Sequence, residues 1–79
     1  MSDILIVDDE RDIRELIADI LQDEGFETRL AANSDEAINQ LNAAEPGLMV
    51  LDIWLKDSRM DGIDILKTVK RNNPDVPVV

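Results

Sequence analysis

Two short runs in this chain are wholly apolar, and both stop on an acid. Ile4-Leu5-Ile6-Val7 leads into Asp8-Asp9-Glu10, and Leu48-Met49-Val50-Leu51 leads into Asp52. Runs this short and aliphatic read as strands rather than helices. A strand that is apolar at every position has no polar face to give to water, so it belongs in a parallel sheet covered on both sides. The covering layers must then come from the segments between the runs.

Those segments change period. Ile13, Leu16, Ile17, Ile20 and Leu21 recur at the spacing of one helical face, which predicts a helix from Arg11 to Glu24. Asp8, Asp9 or Asp12 would cap or charge its start. Gly25 would stop it in a left-handed conformation, with Phe26 folding back as the apolar partner. Residues 26–31 read as a second, weakly alternating strand. Asn33 or Ser34 then caps a second helix, with Asn33 and Glu36 at capping-box spacing and Ala37, Ile38 and Leu41 as the apolar stripe. Pro46-Gly47 ends that unit. Beyond Asp52 a polar loop runs from Trp54 to Asp61. Gly62 precedes a third helix whose predicted inward stripe is Ile63, Leu66, Val69 and the stem of Lys70. Asn72-Asn73-Pro74 stops it, and Val76-Pro77-Val78-Val79 reads as a fourth strand. The order β-α-β-α-β-α-β implies an α/β fold, an open parallel sheet with helices on both faces and right-handed crossovers.

Composition narrows the chemistry. At 79 residues and 44% hydrophobic, the chain fits one globular domain. Without cysteine or histidine it lacks the usual zinc ligands, so a metal here would be a hard cation held by oxygen. Eighteen acids against eight bases give a net charge of −10, which argues against nucleic acid and against an anionic membrane as partners. No apolar run approaches the ~20 residues of a membrane span. The N-terminus has no secretory pattern, so a cytoplasmic location is expected.

Sites on open parallel sheets lie beyond the carboxyl ends of the strands. Asp8 and Asp9 follow one buried strand and Asp52 follows the other. Taken singly, each acid reads more simply as a turn residue or a helix cap. If the two strands are neighbours, roughly 5 Å apart, three carboxylates converge, and like charges that close call for a cation. Magnesium suits such a group, because it takes few protein oxygens and keeps waters for a phosphate to replace.

With these motifs in hand, the chain resembles the receiver domain of bacterial two-component response regulators. The resemblance rests on Ile4–Glu10, Leu48–Asp52, Met60-Asp61-Gly62 and Asp75–Val79, and it covers all 79 residues. The long loop from Asp52 to Gly62, without proline after Asp52, is most like the NtrX-type regulators of the nitrogen-regulation (NtrC) group. The resemblance implies a flavodoxin-like (CheY-like) sheet with strand order 2-1-3-4. It makes Asp52 the phosphoacceptor, charged by a sensor histidine kinase, and Mg2+ the cofactor. Asp9 would bind the metal directly, Asp8 would act close by, often through water, and the backbone carbonyl of Trp54 would supply another oxygen. Control of transcription would pass through an output domain outside these residues.

Family receivers continue with a fifth strand and two helices. They place a Ser or Thr after strand four and a Lys after strand five. Residues 1–79 are therefore expected to be the N-terminal part of a receiver domain, poor at phosphorylation and switching. Self-association through the exposed sheet edge Val76–Val79 is expected as well. Two other classes compete. A magnesium-dependent hydrolase with an aspartyl nucleophile would want an Asp-x-Asp pair after the first strand, whereas Asp8 and Asp9 are adjacent. An interaction-only, dimerising module would keep the fold without accepting phosphate.

Overall fold

The structure is a computed structural model and describes residues 3–52 and 62–79. Its elements are β1 (Asp3–Val7), α1 (Arg11–Asp23), β2 (Glu27–Ala31), α2 (Ser34–Ala43), β3 (Leu48–Leu51) and α3 (Gly62–Asn72). The strands are parallel in the order β2-β1-β3, so the most buried strand is the central one. Register pairs Ile4 with Leu48 and Val7 with Leu51 on one side, and Val7 with Ala31 on the other.

Alternation along β1 divides the core. Leu5 and Val7 face α2 and α3, packing with Ala37, Leu41, Met49, Ile65, Val69 and Val76. Ile4 and Ile6 face α1 and meet Ala18, with Ile17, Leu21, Leu48 and Val50 partly buried around them. The two-sided burial read from the sequence is thus realised at β1, where Ile4 to Val7 are all buried.

Helix ends follow local chemistry. Gly25 has φ 92°. The Gly25 and Phe26 amides donate to the carbonyls of Gln22 and Leu21, 3.0 Å each, which completes a Schellman stop one residue before the expected end. Asn33 is the cap of α2: its side chain accepts from the Glu36 amide at 2.9 Å. The Glu36 carboxylate returns to the Ala32 amide at 3.0 Å, one residue earlier than a standard capping box.

Four expectations need correction. The α1 stripe is only half used: Ile17 and Leu21 lean on the sheet, while Ile13, Leu16 and Ile20 are exposed, the last two at 55%. Phe26 is likewise exposed. In α3 the buried face is Gly62, Ile65 and Val69, and the predicted Ile63 faces out. Val76–Val79 does lie beside β3, in keeping with the order 2-1-3-4, but it forms a single parallel bridge, Met49 with Val78, rather than a full strand. Met49 donates to the Pro77 carbonyl and Val79 donates to the Met49 carbonyl, both at 2.9 Å. The next rung toward the N-terminus would need an amide hydrogen at Pro77, which proline lacks. Among the described residues no helix is long and apolar enough to cross a membrane.

Candidate functional site

The parallel register that joins Val7 to Leu51 carries Asp8 directly opposite Asp52. Both acids are held by one further rung of the sheet. The Asp52 amide donates to the Val7 carbonyl at 2.9 Å, and the Asp8 amide donates to the Ala31 carbonyl at 3.1 Å. Their backbones are therefore as fixed as the strands they end, and Asp9 follows at the turn into α1.

Asp8, Asp9 and Asp52 are all half-buried, and each offers a carboxylate oxygen within 4.8 Å of the other two. Oxygen ligands of an octahedral Mg2+ span about 3–4 Å at bond lengths near 2.1 Å. The trio is all-oxygen and close to that spacing, so it fits a small hard dication. It does not fit a metal that prefers nitrogen or sulfur. The three acids that the sequence pointed to are thus brought together. The carbonyl of Trp54 lies outside the described residues, as does the rest of the loop at 53–61.

The turn between β1 and α1 is braced. Asp8 Oδ1 accepts the Glu10 amide at 2.8 Å. Arg14, one turn into α1, donates from Nη1 to the Asp8 carbonyl at 2.7 Å and is itself part-buried. Nothing in the composition or periodicity of the sequence marks this bond. The available signal was its place, six residues beyond Asp8 on the first turn of the helix.

A family model for the response regulator receiver domain matches residues 4–79. The chain belongs to that family. It is 53% identical over 77 residues to the nitrogen assimilation regulatory protein NtrX of Azorhizobium caulinodans, spanning 98% of this chain and 17% of that protein. The crystal structure of the receiver domain of NtrX from Brucella abortus matches with TM-score 0.94 at 53% identity, over 96% of this chain and 63% of that one. A crystal structure of the response regulator TrrA from Thermotoga maritima, in complex with Mg(2+)-BeF, matches with TM-score 0.90 at 33% identity, over 99% of this chain and 66% of that one. The receiver fold read from the strand order is the fold of these neighbours. Receiver domains are signalling modules of two-component systems; in general they bind Mg2+ at an acidic pocket and are phosphorylated by sensor histidine kinases.

Proposed function

We propose that this chain is the acidic part of an NtrX-like receiver and that Asp52 is its phosphoacceptor. The observation that carries the reading is the convergence of Asp8, Asp9 and Asp52 at the carboxyl end of β1 and β3, in a chain of this family. The residues are read as the N-terminal part of the receiver, in keeping with their spanning 63% of the NtrX receiver chain. An output domain would lie outside them, and the chain would act in the cytoplasm.

In this reading an Asp52 carboxylate oxygen attacks the phosphorus of a kinase phosphohistidine. The new O–P bond makes an acyl phosphate, the P–N bond breaks, and the imidazole leaves with the electron pair and takes a proton. Bound Mg2+ would neutralise charge on the phosphoryl oxygens. Asp9 would hold the cation directly, Asp8 would act close by through water, and the resemblance gives the Trp54 carbonyl as a further oxygen. The chain's only chemistry is transfer to its own Asp52, so it turns over no substrate. The TrrA complex with Mg(2+)-BeF supports a magnesium site in a relative of the same fold.

The test is a magnesium titration followed by the fluorescence of Trp54, the sole tryptophan and two residues past Asp52. The wild-type chain responds with a saturable change, and Asp9→Ala abolishes it. No change in the wild type, or an equal change in Asp9→Ala, sinks the assignment.

A second reading concerns partners. Ile13, Leu16 and Ile20 form an exposed apolar row on α1, and Val79 is 77% exposed on the outer edge beside β3. Such surface favours association of copies through that edge and the half-covered sheet face.

A further inference from the structure

Three of the hydrogen bonds that hold the turn presenting Asp8 and Asp9 centre on Asp8. Two belong to Asp8 itself: its amide on the Ala31 carbonyl at 3.1 Å and its Oδ1 on the Glu10 amide at 2.8 Å. The third comes from outside the acid set, Arg14 Nη1 on the Asp8 carbonyl at 2.7 Å. That bond is short and charge-assisted, and it spans from the helix back across the turn. Asp9 sits between Asp8, pinned on both its backbone groups, and Glu10, whose carbonyl accepts the Arg14 amide at 2.9 Å. Arg14 therefore ties both neighbours of Asp9 to α1, through its side chain on one side and its backbone on the other.

We infer that Arg14 is a positioning residue whose guanidinium fixes the β1–α1 turn and thereby sets the preference of the acidic site for Mg2+ over Ca2+. The inference rests on the metal-site reading above. Mg2+ demands near-octahedral geometry at short bond lengths, whereas Ca2+ accepts longer bonds and irregular shells. A turn that loosens by a few tenths of an ångström costs the smaller ion more.

Arg14 also carries a positive charge beside a cation site, and removing it favours any dication. That effect acts on Mg2+ and Ca2+ alike, since both carry the same charge, so it cancels in the ratio of their affinities. A purely stabilising role for the hydrogen bond would shift the melting temperature and leave the ratio unchanged.

The experiment titrates the 79-residue chain with MgCl2 and, separately, CaCl2 by calorimetry, for the wild type, Arg14→Met and Arg14→Lys. Circular dichroism at the titration temperature checks folding. Removing an outer support of a metal site typically weakens binding about 10-fold. The expectation is that Arg14→Met loses about that factor for Mg2+ and clearly less for Ca2+, so the Mg2+/Ca2+ ratio falls by at least ~3-fold. Arg14→Lys keeps the charge but not the planar fork, and its ratio falls between the two. An unchanged ratio in both variants, with wild-type Mg2+ binding intact, overturns the role of Arg14 alone. Absence of Mg2+ binding in the wild type overturns the metal-site reading and the inference with it.

Discussion

Asp8→Asn is the substitution that best separates the electrostatics of the acid cluster from its geometry. Asparagine keeps an oxygen where Asp8 Oδ1 accepts the Glu10 amide, so the turn keeps its cap. What it removes is one charge from three that converge within 4.8 Å. Each pair of unit charges at that separation repels by about 0.9 kcal/mol in the water limit, and by more at the lower effective dielectric of a half-buried site. Asp8 takes part in two pairs. Allowing for charge spread over both oxygens and for salt, the metal-free variant should be more stable than wild type by about 1–2 kcal/mol.

For a domain of this size that raises Tm by about 4–16 °C. In 1 M salt, where the Debye length is about 3 Å, more than half the gain should vanish. Magnesium works against that ranking and largely cancels it. At a concentration 100 times its Kd, a ligand bound only to the folded state stabilises it by about 2.7 kcal/mol. If Asp8→Asn weakens binding about 10-fold, its gain at the same concentration drops to about 1.4 kcal/mol. Thermal denaturation with and without MgCl2, at low and high salt, measures all four corners. A variant that is no more stable than wild type without metal, or that gains as much from magnesium, refutes the claim that Asp8 is part of a repelling, cation-binding cluster.

Two other outcomes follow from the packing. Arg29 reaches from β2 to the end of α2, donating to the carbonyls of Gln40 at 2.8 Å and Ala44 at 2.9 Å, with Nε 2.7 Å from Asp3 Oδ2. The last turn of α2 has no basic residue of its own, so Arg29→Met should cost about 2–3 kcal/mol in urea denaturation; a change under 0.5 kcal/mol contradicts the clamp. Leu16→Glu with Ile20→Glu should lower the weight-average mass at high concentration in sedimentation without lowering Tm, and an unchanged mass in a self-associating wild type removes α1 from the interface.

How much of this was legible follows from the kind of signal each residue gives. Ile4–Val7 and Leu48–Leu51 announced β1 and β3 because a wholly apolar strand calls for a covered sheet. The acids after them were legible for the same reason, since strand ends in open parallel sheets are where side chains meet. Asn33 with Glu36 was legible because a cap is a local hydrogen bond.

The outward row of α1 was not, because periodicity says which residues share a face and not what covers it. Leu16 and Ile17 look equivalent in sequence, yet only Ile17 reaches the sheet. In α3 the apolar positions 63, 65, 66 and 69 fit two phases of the helix, and packing on Met49 and Val76 selects Ile65 over Ile63. The bonds from Arg29 to α2 and from Arg14 to the Asp8 carbonyl cross between elements, and neither side chain carries a local mark of its partner.

The central claim is that Asp52 accepts a phosphoryl group with magnesium held by its neighbours. Intact-mass measurement after incubating the chain with a small-molecule phosphodonor and MgCl2 tests it most directly. The account predicts a slow, partial gain of one phosphoryl group that needs magnesium, is lost in Asp52→Asn and maps to the peptide carrying Asp52. No gain in the wild type, or the same gain in Asp52→Asn, contradicts it.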